Sequence, residues 1–136
     1  MGLTTREDKV LDAITVLDAL LHGTTRMADC RGANRVTFEI NSSLNQPIGV
    51  RVIGGTTAAP GFNLPIGGWL NCDAQSSLGI NCKQEDWYPF MGIEIQAPVA
   101  PTSGSVTAKA IIQEENGVAV PVPSVGGGKA WLPGRW

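Results

Sequence analysis

Few residues in this sequence belong to the types that carry out catalysis, and their spacing does not suit it. His22 is the single histidine, and no motif surrounds it. A serine or cysteine nucleophile needs a base within hydrogen-bond reach, so nucleophilic catalysis is not expected. Carboxylates are adjacent at Glu85–Asp86 and at Glu114–Glu115, but neighbouring residues on a strand point to opposite faces. We therefore expect no catalytic residue and no enzymatic activity.

The pattern of metal-ligating residues is equally sparse. Cys30, Cys72 and Cys82 form no CxxC pair, and one histidine forms no cluster. Gly126–Gly128 is not followed by the Lys-Ser/Thr of a phosphate-binding loop. We expect no metal site and no cofactor. A bridge between Cys72 and Cys82 stays open beside the alternative of free buried thiols, which synthesis in the cytoplasm favours.

Three aromatic residues have side chains suited to recognition. Trp69, Trp87 and Tyr88 are candidate surface-binding residues, because aromatic rings stack on sugar rings. The alternative is that these rings plug the end of a β-sandwich or lie in an interface.

Composition limits the fold and the partners. The chain has 136 residues, enough for one domain, with 43% hydrophobic and only 16% charged residues. Its 17 glycines and 9 prolines exclude a helical bundle, and its apolar content argues against disorder. A net charge of −2 gives no excess of basic residues for binding nucleic acid, so we expect no nucleic-acid partner. No secretory signal or membrane-spanning apolar run is visible, so we expect no membrane partner.

The N-terminal segment has helical spacing. Thr4 and Glu7 are spaced as a capping box, and apolar residues recur at steps of three and four from Val10 to Leu21. This pattern predicts an α-helix over residues 4–22, with a connector up to residue 34. The helix either covers its own domain or docks on another subunit, and in the second case the candidate contact residues are Leu11, Ile14, Leu17 and Leu21.

Residues 35–113 change to a period of two. This alternation predicts an antiparallel β-sandwich or jelly-roll-like domain, with a hairpin joining 36–40 to 48–52, a long loop over 54–68 and a short strand from Trp69. The alternating apolar positions are Val36, Phe38, Ile40; Ile48, Val50, Val52; Leu78, Ile80, Cys82; Met91, Ile93, Ile95; and Val106, Ala108, Ala110, Ile112.

Residues 114–136 differ again. Prolines two residues apart exclude a helix and a central strand. The valines and tryptophans of this segment would contribute no stabilisation if they stayed exposed to water. We predict an extended C-terminal arm that either wraps its own domain or reaches over a neighbouring chain. Its candidate contact residues are Val118, Val120, Val122, Trp131 and Trp136.

Three segments of the sandwich carry a resemblance. Asn45–Gly54 reads NQPIGVRVIG, Trp87–Ala97 reads WYPFMGIEIQA, and Ala100–Ala108 reads APTSGSVTA. Over residues 35–113 the chain resembles small β-sandwich virion proteins of tailed bacteriophages and prophages, of the capsid-decoration or accessory kind.

This resemblance implies a structural role without catalysis. A decoration protein adds to a preformed shell, often as a trimer, and clamps adjacent capsomers. The implied partners are further copies of the chain, with a trimer favoured, and the major capsid protein or other virion proteins. The implied location is the virion, after synthesis in the host cytoplasm.

Two other functions stay open from the residues. One is a phage tail or host-surface module that binds glycans through Trp69, Trp87 and Tyr88. The other is a self-assembling extracellular filament subunit whose arm completes the sheet of a neighbour.

Overall fold

The computed structural model describes residues 3–24, 26–59 and 64–115, and within them the chain is mainly β. Pro47, Pro89, Pro98 and Pro101 lie between strands, where the missing backbone N–H removes no hydrogen bond from a sheet. The elements are β1 Leu3–Thr15, β2 His22–Gly23, β3 Ala28–Asp29, β4 Ala33–Ser42, β5 Ile48–Gly55, β6 Leu64–Cys72, β7 Ser77–Cys82, a short 3-10 helix Gln84–Asp86, β8 Phe90–Gln96 and β9 Ser105–Glu115.

The strands form two antiparallel sheets. One has the order β1-β9-β4-β7, and the other has the order β2-β8-β5-β6, with β3 also paired to β8. Apolar side chains from both sheets share one buried core, so the sheets pack face to face as a sandwich. The core includes Phe38, Ile40 and Ile112 from the first sheet and Val50, Ile93 and Ile95 from the second.

The two ends of the sandwich are defined by hydrogen bonds between elements. At the first end, the Ser43 amide donates to the carbonyl of Ser105, where β9 begins, and Gly49 pairs with Gln96, where β8 ends. At the opposite end, the Arg6 guanidinium donates to the carboxylate of Glu114 and to the carbonyl of Asp29. We call these the Ser105 end and the Glu114 end.

The predicted alternation of the sandwich is confirmed. The five segments with apolar residues at every second position form β4, β5, β7, β8 and β9. Their alternating side chains are buried or packed against the core.

The prediction of an α-helix over residues 4–22 is wrong. Residues 3–15 form β1, which pairs with β9 along its whole length, and residues 22–23 form β2. The register of β1 shifts between Lys9 and Leu11 and again between Leu11 and Ile14. Extra residues at these bulges break the alternation of a strand, so consecutive Val10 and Leu11 are both buried. The resulting apolar spacing resembles that of a helix.

Two further expectations within the sandwich are wrong. β4 and β5 do not form a hairpin: β4 pairs with β7 and β9, whereas β5 pairs with β6 and β8. Residues 43–47 therefore cross from one sheet to the other. The predicted loop over 54–68 is also shorter, since β6 begins at Leu64.

Three further expectations concern the arm, the cysteines and membrane-spanning segments. The arm residues Val118, Val120, Val122, Trp131 and Trp136 lie outside the described part of the chain. Cys30, Cys72 and Cys82 are free thiols in the structure. Among the described residues, no helix has the length and apolar character needed to cross a membrane.

Candidate interaction surface

An open groove lies on the outer face of the β2-β8-β5-β6 sheet, at the Ser105 end. Gly49 and Gln96 face outward here, because their neighbours Val50 and Ile95 point into the core. The groove has a volume of about 370 Å³ and no charged residue in its lining. We call it the apolar groove; it is lined by Ala19, Gly49, Trp69, Gln96, Ala97 and Pro98.

The indole of Trp69 is placed by a bulge in β6. Val50 pairs with Leu70 and Val52 with Ile66, so three residues of β6 stand opposite the single residue Arg51. Gly67 allows this with a φ of +73°, which side chains with a Cβ rarely adopt. Bulges commonly redirect a neighbouring side chain, and here Trp69 turns over the outer face of β5.

Gly49 gives the indole room. A Cβ at Gly49 would lie 3.1 Å from Cε3 of Trp69, closer than carbon atoms normally approach. The missing side chain at this position therefore lets the ring rest directly on the β5 backbone. We infer that Gly49 forms part of the floor of the groove and Trp69 one wall.

A charged pair supports the same ring. The guanidinium carbon of Arg51 lies 4.3 Å from the centroid of Trp69, within the range of a cation–π contact. Arg51 also bonds Glu94, with 2.5 Å between Nη2 and Oε1, and both side chains are largely buried. Because each charge is satisfied within the sheet, the pair fixes the indole without offering a free charge to a ligand.

The loop between β1 and β2 forms the opposite wall. Val16 anchors it in the core, and the side-chain Nε2 of Gln96 donates to the backbone carbonyl of Ala19 at 3.0 Å. The Asp18 carboxylate accepts the backbone N–H of Leu20 at 3.0 Å and the Nε2 of His22 at 2.7 Å. The hydrogen bond from His22 is the main cause that lowers the pKa of Asp18. These polar contacts hold the loop with its leucines facing solvent.

Five of the six large apolar side chains that are exposed among the described residues belong to a residue that lines the groove or stands within two positions of one: Leu17, Leu20, Leu21, Trp69 and Val99. The sixth, Leu70, follows Trp69 but pairs with the buried Val50 and therefore lies on the core-facing side of its sheet. Leu20 is 66% exposed and Trp69 43%. Scattered apolar residues are normal on a surface, but a collected patch marks an interaction site.

The four contact residues predicted for the N-terminal segment separate into two pairs. Leu11 is only 2% exposed and belongs to the core, and Ile14 is half-buried against it. Leu17 and Leu21 are exposed beside the apolar groove. In the described part of the chain, Leu17 and Leu21 are therefore the pair that is free to contact a partner.

The three candidate aromatics do not form one platform. Trp87 and Tyr88 are half-buried against the core, and the indole of Trp87 donates to the carbonyl of Cys82 at 3.1 Å. The Tyr88 ring lies against Gly54, which pairs with the buried Met91 at the Glu114 end. Trp87 and Tyr88 therefore plug that end of the sandwich, and Trp69 stands apart at the groove.

Sequence reasoning missed several groove residues. The lining residues Ala19 and Pro98 and the neighbouring Val99 have no periodic pattern that marks them, and Leu20 belongs only to the predicted helical stripe. The signal that could have found them is the run Leu17–Leu21, in which three leucines stand close together without alternation, next to a turn.

No described residues provide a site for chemistry at the groove. Among them no group of three or more histidine, cysteine or acidic side chains is placed to hold a metal ion. Burial raises the pKa of Cys30 to about 12 and of Cys82 to about 11, so neither is an activated thiolate. The surface is suited to contact with another apolar surface.

Comparison with known proteins gives a likeness of fold. No protein-family model matches the sequence, and no curated protein matches it. A chain from the structure of infectious bursal disease virus Gx strain is similar, with a TM-score of 0.52 and 11% identity. The match covers 87% of this chain but only 34% of the viral chain, so this chain spans about a third of its length. The two share a β-sandwich fold.

Proposed function

We propose that this chain is a virion structural protein that acts through contacts with other subunits. The observation that carries the proposal is the collection of exposed apolar side chains around one groove. Such a patch has no advantage for an isolated subunit in water, but it stabilises a contact that covers it. The similarity in fold to a chain of a virus structure supports the same conclusion.

Within that class we propose a capsid decoration protein of a bacteriophage, located in the virion. Such a protein would bind the major capsid protein or other virion proteins and assemble as a homotrimer. Three copies in a closed ring would cover the apolar groove of each subunit by head-to-tail packing. A stable contact between two proteins usually buries about 1,600 Å² in total, and an arm adds area to a small domain.

Deletion of residues 118–136 tests the role of the arm. We expect the truncated chain to keep its β-sandwich, because every strand from β1 to β9 is retained. We also expect it to lose assembly. Circular dichroism checks the fold, and sedimentation velocity compares the assembly of the truncated and full chains. Assembly that is unchanged by the deletion would contradict the role given to the arm.

A further inference from the structure

The apolar groove is suited to a partner surface that is itself apolar and uncharged. The same sequence contains one such segment outside the described residues: Val118–Pro123 reads VAVPVP and has no charged or hydrogen-bonding side chain. The groove lining likewise has no charged residue. Side chains of both surfaces would be removed from water together, which favours their contact.

The segment cannot reach the groove of its own chain. The groove lies at the Ser105 end, whereas β9 delivers the chain to the Glu114 end. β9 has 11 residues, so it separates the two ends by roughly 35 Å. Pro123, the last residue of the segment, follows Glu115 by eight residues, and a fully extended chain covers at most about 29 Å over that interval. Any groove that receives this segment must belong to another copy.

We propose that the apolar groove of one copy binds the Val118–Pro123 segment of a second copy. The indole of Trp69 forms one wall for the segment, and Ala19, on the loop before β2 that also carries the exposed leucines, belongs to the other. This inference rests on the proposed function in that it names the contact through which copies of a structural protein associate.

The proline spacing suits this contact. A proline ring restricts its own φ, and it also biases the preceding residue towards extended conformations. Pro121 and Pro123 thereby restrict Val120 and Val122 as well, so the segment loses less conformational entropy when it is bound. Proline-containing segments dock readily on grooves lined by aromatic residues, and Trp69 supplies such a ring.

The charge distribution supports association in trans. Residues 116–136 contain Lys129 and Arg135 but no aspartate or glutamate, so they carry two positive charges. The whole chain has a net charge of −2, and the remaining residues therefore carry −4. Attraction between the arm of one copy and the body of another would speed their encounter at low salt.

Two charge-introducing variants of the full chain test the contact. Val120→Asp places a carboxylate in the segment, and Leu20→Asp places one at an exposed position next to the lining residue Ala19. Asn116→Asp and Gln84→Asp are the matched controls, because they add the same charge outside the segment and outside the groove. Sedimentation velocity over a range of concentrations measures self-association, and thermal unfolding checks that each variant folds. We expect each test variant to associate about tenfold more weakly or worse, and the controls to match the parent chain.

Mixing the two test variants distinguishes contact between chains from contact within one. The Val120→Asp chain keeps an intact groove, and the Leu20→Asp chain keeps an intact segment. A mixture therefore contains one undamaged pair of surfaces per two chains, so we expect it to associate more tightly than either variant alone. A segment that bound its own groove would give no such recovery.

The remaining outcomes each overturn a different claim. If the parent chain associates and both test variants associate equally well, the proposed contact is wrong while the proposed function stands. If the mixture shows no recovery, the exchange between copies is wrong. If the parent chain stays monomeric at every concentration, both the contact and the proposed function are wrong.

Discussion

Gly104 determines the geometry of the turn before β9. Its φ is +104°, and a Cβ at this position would overlap the carbonyl oxygen of Ser43. The same turn is held by backbone hydrogen bonds from Asn45 to Ser103 and from Ser43 to Ser105. The close approach of the two backbones therefore depends on the absence of a side chain.

We expect Gly104→Ala to lower the free energy of unfolding by about 2 kcal/mol or more, because strain in φ and a clash with backbone add together. Gly79→Ala is the control: nothing lies within 4 Å of a Cβ there, and φ is not positive. Its effect should stay within about 0.5 kcal/mol. Urea-induced unfolding measures both, and an equal effect of the two substitutions would refute the role of Gly104.

The buried thiols predict a dependence of stability on high pH. Burial raises the pKa of Cys30 to about 12 and of Cys82 to about 11, above the ordinary value of 9.0. Above pH 9.0 the unfolded chain releases these protons and the folded chain keeps them, so stability falls as pH rises. The contribution is fully present below pH 9.0.

We expect the free energy of unfolding of the parent chain to fall from pH 9 to pH 11 more steeply than that of a Cys30→Ala/Cys82→Ala variant. The difference between the two slopes removes the effect of other groups that titrate in this range. Urea unfolding at several pH values measures it. Parallel slopes would show that the thiols ionise as easily in the folded chain as in the unfolded one.

At the scale of elements, the sequence predicts the strands that alternate regularly but not β1, which is interrupted by bulges. β4, β5, β7, β8 and β9 were predictable because each keeps one apolar face without interruption. β1 has two register shifts and a positive φ at Ala13, so its apolar residues do not alternate. Pairing with β9 determines its conformation, and that contact is distant in sequence.

The same limit applies to the groove. Leu17 and Leu21, which are exposed, could be identified as candidate contact residues, but only under a wrong helical interpretation. Trp69 is predictable as a surface aromatic. Its position over Gly49 depends on the bulge in β6, which no local sequence pattern predicts. Residues that stand far apart in the sequence come together at the groove only through the sheet order β2-β8-β5-β6.

Two alanine substitutions distinguish the observed strand β1 from the helix that the sequence predicts over residues 4–22. Leu11→Ala should lower the free energy of unfolding by about 2 to 5 kcal/mol, because it empties part of the core. Leu17→Ala should change it by less than about 0.5 kcal/mol, because Leu17 is 56% exposed. A helix with both residues on one buried stripe predicts similar losses. Urea unfolding of dilute protein checks the contrast.

At the scale of the whole molecule, the exposed apolar surface of the described residues is concentrated at one end of one sheet. The charged strand β1 forms one edge of the other sheet, with Arg6, Glu7, Asp8 and Lys9 in succession. Charges and bulges on an edge strand discourage pairing with other chains. This asymmetry favours association through the groove, in a defined arrangement of copies.

The central claim is that this protein acts as an assembly of copies. Light scattering of the purified full chain measures its mass in solution most directly. For a homotrimer of 14.3 kDa subunits we predict a discrete species of about 43 kDa, since a closed ring has a fixed number of subunits. Open-ended polymers would contradict the closed ring, and a mass of 14.3 kDa at every concentration would contradict the claim itself.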